Sequence, residues 1–277
     1  MIHILLSTYN GERYLAEQLD SILAQTYTDW RLYARDDGSK DGTIAILKRY
    51  AQAHPKQFFV DETGPKGLGA MRSFEHLLIQ HGDADYFAFA DQDDVWMPDK
   101  LAVCIEEMER QESATGKQKP LVVHSDLAVV DEHLQPIAPS FWEYGGIRPD
   151  ILDDNRHYLA ICNSVTGCAM LMNAAARKVV LPFNPDVFMH DAWIGIRVLE
   201  QGGRVIPVCR ATIHYRQHGD NVCGAQRYRF RLTNLREKYQ MAVRSYHTGH
   251  PLVFRNVVHF LWWKMRYFIT LHILRAQ

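Results

Sequence analysis

The stretch Tyr86-Phe-Ala-Phe-Ala-Asp91-Gln-Asp93-Asp94-Val-Trp96 decides how we interpret the fold of this chain. An apolar run typical of a buried strand ends at once in three carboxylates. Carboxylates this close repel one another, and a hard divalent cation such as Mg²⁺ or Mn²⁺ prefers oxygen ligands. Open α/β sheets bind ligands at the carboxyl ends of their strands, so the stretch predicts a cation and a phosphate there. The ordinary alternative is a solvated acidic turn before the helix that Pro98 begins.

Strand-like and helix-like segments alternate on both sides of this stretch, which predicts an α/β fold with a mostly parallel, Rossmann-like central sheet flanked by helices. At 277 residues, the chain is long enough for one large α/β domain or one domain with an appendage. Residues 139–157 carry no clear periodicity, and we expect a functional loop there. Strands are expected at 2–6, 30–34, 58–60, 86–90, 121–130, 164–172 and 205–208, and helices at 14–25, 43–53, 71–80, 100–111, 173–180 and 192–201.

Composition narrows the class of protein further. The net charge of −1 argues against general nucleic-acid binding, although charge is unevenly distributed: residues 225–277 hold ten Lys or Arg and one acid, against 21 bases and 31 acids before them. The five cysteines are odd in number and form no C-x-x-C, which indicates reduced thiols rather than disulfides or a zinc site. Neither a secretory signal nor a run of about 20 apolar residues is found, so we expect a cytoplasmic protein without a transmembrane helix.

Two further strand ends carry polar residues. Ser7-Thr8-Tyr9-Asn10-Gly11-Glu12 follows the first strand, where a tyrosine can stack on a flat ring while neighbouring oxygens bind the edge of that ring. Asp36-Asp37-Gly38-Ser39-Lys40-Asp41-Gly42-Thr43 follows the second strand, where a carboxylate can accept from a ring imide. Helix capping and a capped turn are the ordinary alternatives.

Taken together, the three strand-end motifs resemble those of the inverting glycosyltransferases of family 2, which have the GT-A fold. The resemblance covers residues 2–222 and implies a nucleotide-sugar donor, a bound Mg²⁺ or Mn²⁺, and direct displacement at the anomeric carbon. It divides the chain into a catalytic domain at 1–222, with a nucleotide-sugar-binding half at 1–112 and an acceptor-binding half at 113–222, and a basic amphipathic helical extension at 223–277.

The motif variants look most like those of the rhamnosyltransferase branch. This likeness rests on Asp-Gln-Asp-Asp-Val-Trp together with His214-Tyr-Arg216-Gln-His218-Gly-Asp220-Asn221. It implies dTDP-rhamnose as donor and surface polysaccharide, O-antigen or capsule assembly as the process. UDP-glucose, UDP-galactose or UDP-N-acetylhexosamine donors would leave the same motifs in place.

The resemblance assigns three groups of residues to the donor side. Asp93 is the principal metal ligand, with Asp91 and His218 beside it. Lys66 and Arg72 would lie near the base or the diphosphate, with two surface cations as the alternative. His214 and His218 would also suit a zinc pair, but no partner ligands are evident. The nucleotide-sugar contacts implied are Ser7, Thr8, Tyr9, Asn10, Glu12, Asp36, Lys66, Arg72, Asp91, Gln92 and Arg216.

On the acceptor side, His190-Asp191-Ala192-Trp193 is similar to the family's acidic position before a helix, where a carboxylate serves as general base. A sugar hydroxyl is a poor nucleophile and needs such a group, so we assign Asp191 this role. The usual dipeptide is Glu-Asp, from which His190 departs, and a helix N-cap is the alternative for Asp191. Expected acceptor contacts are Trp142, Thr166, Gly167, His190 and Trp193, each of which would also suit the core.

The basic tail predicts helices at 230–246 and 252–274. Cations and tryptophans on such helices suit the anionic inner face of a cytoplasmic membrane, with a lipid-linked oligosaccharide as acceptor. Docking on the catalytic domain and a homodimer interface are equal alternatives.

Two other functional classes fit part of the sequence. Haloacid-dehalogenase-like phosphatases also carry a strand followed by D-x-D, with the first Asp as nucleophile, but normally after the first strand. A non-catalytic carbohydrate-binding protein of the same fold would not need Asp93 and Asp191.

Overall fold

The computed structural model describes residues 1–187, 189–219, 224–225, 235–249 and 252–275, without the side chains of residues 235–238, 248 and 272–275. Three expectations lie outside the described residues: the domain boundary between 222 and 223, the helix start at Phe230, and the Asp220-Asn221 part of the last motif.

Nine strands of the described chain form one sheet with the order β3-β2-β1-β4-β8-β6-β9-β5, and β7 pairs with β6. The first four strands are mutually parallel, whereas β8 runs antiparallel to both β4 and β6. The expected α/β class is confirmed. The strands are β1 (Ile2–Thr8), β2 (Trp30–Asp36), β3 (Phe58–Val60), β4 (Tyr86–Ala90), β5 (Val95–Trp96), β6 (Leu121–Val130), β7 (Pro136–Ala138), β8 (Met170–Asn173) and β9 (Arg204–Arg216).

Helices cover the sheet because its central strands are apolar on both faces. Along β1, Ile4 and Leu6 belong to one buried cluster and Leu5 to another, as the alternation of strand side chains requires. The helices are α1 (Leu15–Leu23), α2 (Thr43–Ala53), α3 (Gly69–Gln80), α4 (Lys100–Thr115), α5 (Phe141–Gly145), α6 (Pro149–Leu152), α7 (Arg156–Ile161), α8 (Ala174–Val180), α9 (His190–Glu200), α10 (Leu235–Gly249) and α11 (Val257–Arg275).

The structure differs from the sequence-based expectation in three segments. Residues 139–157 contain α5, α6 and the start of α7, which are too short to show helical periodicity; Ser140 and Asn155 cap α5 and α7 by accepting backbone N–H groups. The strand expected at 164–172 begins only at Met170, after a 3₁₀ turn at Gly167–Ala169. The strand expected at 205–208 is the start of the longer β9, whose pairing with β6 shifts register and so interrupts the alternation.

The two C-terminal helices pack on the rest of the protein, as one of the alternatives for the tail supposed. The ring of Trp263 stacks on His157 of α7 at 3.9 Å, and Phe254 and Phe260 are buried in the core cluster of Leu5. Apolar side chains lie on both sides of α11, which differs from the expected amphipathic distribution. Among the described helices, none has both the length and the apolar character needed to cross a membrane.

Candidate active site

A cleft of about 1010 Å³ lies at the carboxyl ends of the parallel strands. The pairing of Thr8 with Asp36 and of Leu6 with Ala90 brings the ends of β1, β2 and β4 side by side. Expected residues that line the cleft are Ser7, Thr8, Tyr9, Asn10, Asp91, Gln92, Asp93, Thr166, Gly167, His190, Asp191 and His218. Those that do not are Glu12, Asp36, Lys66, Arg72, Trp142, Trp193 and Arg216.

Asn10 and Glu12 join the loop after β1 to the loop after β2. The backbone N–H of Asn10 donates to Ser39 Oγ at 2.8 Å, and its Oδ1 accepts from Lys40 N at 2.9 Å. Glu12 Oε2 accepts from Gly42 N at 2.8 Å. Asn10 has φ 49°, in the left-handed region that Asn tolerates well. These two side chains therefore hold the rim of the cleft in place.

The two carboxylates after β2 point in different directions. Asp36 is buried and accepts from Gly38 N and Ser39 N at 3.1 and 3.0 Å, while Lys66 Nζ donates to its backbone oxygen at 2.5 Å. Asp37, which the motif analysis did not select, lines the cleft. Successive side chains at a strand end face opposite ways, and this is the signal that could have distinguished the two.

Asp37 also anchors the loop before α3. It accepts from Leu68 N and Gly69 N at 2.9 and 2.8 Å and pairs with the buried Arg35 guanidinium at 2.7 Å. Burial alone would raise the pKa of Asp37, but the Arg35 guanidinium and these two N–H groups lower it below the ordinary value. The carboxylate is therefore held in its charged form.

Gln92 connects the acidic stretch to the loop after β1. Its side-chain oxygen accepts from Tyr9 N at 2.8 Å, and its side-chain nitrogen donates to Tyr9 O at 3.0 Å. A Cβ on Gly11 would lie 2.3 Å from Gln92 Oε1, so only glycine permits this approach. The Tyr9 ring remains 55% exposed and able to stack on a ligand.

The acidic residues form two adjoining groups. Asp93 Oδ2 lies 2.9 Å from His218 Nε2. Asp91, Asp94 and the Cys168 sulfur offer ligand atoms within 4.8 Å of one another. Burial, together with the charges of Asp93 and Asp191, raises the pKa of Asp91 to about 7.

The carboxylates and the imidazole of these two groups fit a hard divalent cation as metal ligands. Carboxylate oxygens with one imidazole are ligands that Mg²⁺ and Mn²⁺ accept, and their charge would relieve the repulsion between the carboxylates. Burial raises the pKa of the Cys168 thiol well above its ordinary value, so that thiol stays neutral and is a poor ligand. Asp93 and His218, which lie in contact, are therefore better suited to the cation than Cys168, although the ligand atom of Cys168 converges with those of Asp91 and Asp94.

Asp191 lies in the first turn of α9 and lines the same cleft as Asp91, whose pKa its charge helps to raise. It accepts from Gly167 N at 3.2 Å and from Ala192 N at 2.6 Å. Burial raises the pKa of Asp191 to about 6, although these N–H groups act in the other direction. Met189, not Asp191, occupies the N-cap position, so the capping alternative does not account for this carboxylate.

His190 supports Asp191 from the core side. Its ring packs on Phe74 and Phe89 with centroids 4.5 and 5.1 Å away, and burial lowers its pKa to about 3, which keeps the imidazole neutral. A Cβ on Gly167 would lie 2.5 Å from His190 Nε2. Gly167 is therefore required where the backbone passes between His190 and Asp191.

Arg216 is occupied within the protein. Its guanidinium donates to Asp93 O at 2.8 Å, to Glu132 O at 2.7 Å and to Glu17, and its backbone N–H donates to Asp94 at 3.1 Å. The described contacts thus make this residue a support for the acidic stretch, and its donor contact stays a prediction.

Three other expected residues also pack away from the cleft. Arg72 pairs with Glu75 on α3, and Trp193 Nε1 donates to Val180 O at 2.7 Å within the core. Trp142 is buried with its ring edge-to-face with His124 at 5.4 Å. Trp142 and Trp193 pack in the core, as the alternative for these two residues supposed, whereas Arg72 forms a partly exposed ion pair.

Two lining residues come from the C-terminal helices. Arg244 and Ser245 of α10 line the cleft beside α7, where Ser245 Oγ donates to Ile161 O at 3.2 Å. No sequence motif marks either residue, since the contact depends on how α10 packs against α7.

Comparison with known proteins supports the same interpretation. The family model described as "Glycosyl transferase family 2" matches residues 3–180. EpsE of Bacillus subtilis (strain 168), which is named as a glycosyltransferase, is 32% identical over 223 residues, 79% of this chain and 74% of EpsE. The dTDP-rhamnosyl transferase RfbG of Shigella flexneri is 34% identical over 103 residues, which are 36% of each protein.

Solved structures match the fold at low identity. TarS of S. aureus (residues 1–349), in complex with UDP-GlcNAc, has a TM-score of 0.58 at 15% identity, covering 79% of this chain and 59% of that chain. The mannosyltransferase PcManGT of Pyrobaculum calidifontis, in complex with GDP-Man and Mn²⁺, has a TM-score of 0.55 at 18% identity, covering 75% of this chain and 54% of that chain. The chain thus spans somewhat more than half of either protein.

Proposed function

Because the chain belongs to glycosyltransferase family 2 and has the GT-A fold, we propose that it transfers a sugar from a nucleotide-sugar donor to a glycan acceptor in the assembly of a surface polysaccharide. The observation that carries the proposal is the shared cleft: the Asp93–His218 pair and the Asp191 carboxylate line it from different elements. Transfer needs both groups of residues in one cleft, because the diphosphate leaves the same anomeric carbon that the acceptor hydroxyl attacks.

The donor we propose is dTDP-rhamnose, on the evidence of the motif variants and the partial likeness to RfbG. A UDP-hexose or a UDP-N-acetylhexosamine is the alternative. Tyr9 would stack on the base, with Ser7, Thr8 and Asp37 beside the nucleoside; the remaining expected donor contacts would act by holding the surrounding loops.

Asp93, Asp91 and His218 would hold Mg²⁺ or Mn²⁺. When bound, the cation would neutralise charge that develops on the diphosphate as it leaves. Arg216 would keep the backbone of Asp93 fixed through its 2.8 Å hydrogen bond.

Asp191 would act as the general base. At neutral pH a carboxyl with a pKa of about 6 is mostly ionised, yet it accepts a proton more readily than an ordinary aspartate. It would take the proton of the acceptor hydroxyl as that oxygen attacks the anomeric carbon, while the bond from that carbon to the diphosphate breaks. Attack opposite the leaving group inverts the anomeric configuration, and Thr166, Gly167 and His190 would frame the acceptor.

The test compares two isosteric variants with a matched control. Asp93→Asn should weaken metal-dependent donor binding, whereas Asp191→Asn should leave donor binding intact and lower kcat by about 10²–10⁴-fold. Asp186→Asn, an exposed carboxylate outside the cleft, should change neither. Donor binding is measured by thermal shift against a panel of nucleotide sugars with Mg²⁺ or Mn²⁺, since only the correct donor with metal should raise stability. Undiminished transfer by Asp191→Asn would refute the proposed mechanism.

A further inference from the structure

One face of α11 exposes a continuous apolar surface. Val258, Leu261, Trp262, Met265 and Ile269 are between 46% and 76% exposed. Their spacing of three and four residues places them together on one side of a helix. We call these five residues the α11 face. Scattered exposed apolar residues are ordinary, but a contiguous stripe of this length indicates a contact surface.

The opposite side of the same helix fixes the direction in which the α11 face points. Phe260 is 3% exposed, and Trp263 packs against both His157 and Tyr158 of α7. Tyr158 also bonds Thr270 through its hydroxyl at 3.3 Å. The core of the protein therefore packs against one side of α11. The α11 face lies on the other side and points away from that core.

Charge favours one partner for this face. Arg266 lies beside the stripe, its guanidinium 5.5 Å from the Trp262 ring, and Arg255 is exposed just before the helix. Residues 225–277 carry ten bases and one acid, whereas the preceding 224 residues carry 21 bases and 31 acids. Among the described side chains, Arg255 and Arg266 place positive charge beside the α11 face, while the first 224 residues are acidic overall. An anionic surface would therefore attract this edge of the protein and repel the acidic remainder.

We propose that the α11 face docks on an anionic phospholipid bilayer, with Trp262 at the headgroup level and Arg255 and Arg266 against lipid phosphates. Apolar residues would enter the boundary of the acyl region while the cations stay with the headgroups. The helix lies on the bilayer surface, because no described helix is suited to cross a membrane.

Docking in this way would bring the cleft close to lipid. Tyr246 of α10 contacts Phe260 of α11 with ring centroids 5.6 Å apart, and the neighbouring Arg244 and Ser245 line the cleft. One helical layer therefore joins the α11 face to the acceptor side. The choice of acceptor rests on the proposed function: the acceptor would be a glycan on a lipid carrier that lies in the same bilayer.

The experiment measures co-sedimentation of the full chain with vesicles. Wild type should bind vesicles of phosphatidylglycerol and phosphatidylcholine and bind pure phosphatidylcholine vesicles at least about tenfold less, since each basic residue at an anionic surface contributes about fivefold. Leu261→Glu with Met265→Glu should abolish binding to both. Arg266→Gln should weaken anionic binding about fivefold and leave residual binding to neutral vesicles unchanged.

The matched control is Ile79→Glu with Ile137→Glu, which changes two apolar residues that are 51% and 47% exposed on other elements and should leave vesicle binding unchanged. Melting temperature and donor binding measured on each sample separate a folding defect or a failure of the proposed function from a failure of docking. A wild-type protein that does not bind anionic vesicles overturns the inference. So does a wild-type dimer that Leu261→Glu with Met265→Glu converts to monomers, because a second copy would then cover the face.

Discussion

Asp191 owes its chemistry to its surroundings. Burial raises its pKa to about 6, and the hydrogen bonds from Gly167 and Ala192 keep that value from rising further. Because the base must be deprotonated to act, transfer should fall as pH drops through about 6, by about tenfold for each further pH unit. The measurement is kcat/KM for the acceptor at saturating donor and metal. An acid limb centred near pH 4, the range of an ordinary aspartate, would contradict this role.

Gly167 is constrained by its neighbours rather than by its own backbone angles. Gly167→Ala would place a Cβ 2.5 Å from His190 Nε2, and Phe74 and Phe89 leave that ring little room to move. We expect His190 and Asp191 to shift and kcat to fall by about 10²-fold, with donor affinity nearly unchanged. Gly219→Ala, where a Cβ would have no atom of a described residue within 4 Å, is the control for steady-state kinetics.

At this scale, the motifs predicted twelve of the residues that line the cleft, and seven other predicted residues lie outside it. Tyr9, Asp93 and Asp191 were found because each follows a strand or precedes a helix in a recognisable order. The motifs alone did not separate Asp36 from Asp37, because that choice depends on the alternation of side chains at the end of β2. Sequence also could not reveal that Arg216 is enclosed by its own chain, because its partners come from three distant segments.

At the scale of elements, β9 connects the acidic stretch to the far half of the sheet. Arg216→Met should leave the carbonyls of Asp93 and Glu132 without their donor and lower the free energy of unfolding by about 1–3 kcal/mol. Arg210 lies on the same strand as Arg216 and forms a surface ion pair with Asp99. Arg210→Met removes this pair and should lower the free energy of unfolding by no more than about 1 kcal/mol. Urea denaturation measures both, and equal losses would show that the bonds of Arg216 contribute little.

Elements with a regular period were predictable, and those without one were not. The strands at 58–60, 86–90 and 121–130 and the helix at 43–53 have the predicted bounds, because apolar runs and helical spacing there are uninterrupted. The helices α5 to α7 have six residues or fewer, so they offer at most two turns to detect. The pairing of β9 with β6 shifts register. The sequence of β9 therefore lacks the regular apolar and polar alternation from which the length of the strand could be predicted.

At the scale of the whole molecule, the C-terminal helices are part of the core. Phe254 has no exposed surface and packs with Phe260 at 5.0 Å. Phe254→Ala should therefore lower the free energy of unfolding by about 3–5 kcal/mol. Val258→Ala, on the α11 face, should change it by less than about 0.5 kcal/mol. Deleting residues 253–277 would remove this packing. The partitioning of the deletion variant between membrane and soluble fractions would therefore report lost stability as well as lost membrane contact.

The packing of α10 against α7 has a consequence for the order of biosynthesis. Ribosomes release the amino-terminal part first, and the βα units of β1 to β4 are built from contacts between neighbours in the chain, which form early. The cleft wall that Arg244 and Ser245 complete must wait until more than two hundred residues have emerged. A nascent chain would then have the part of the cleft at the ends of β1, β2 and β4 assembled before the part that α10 completes. The protein would become a finished catalyst only when the segment that also carries the α11 face has folded back onto it.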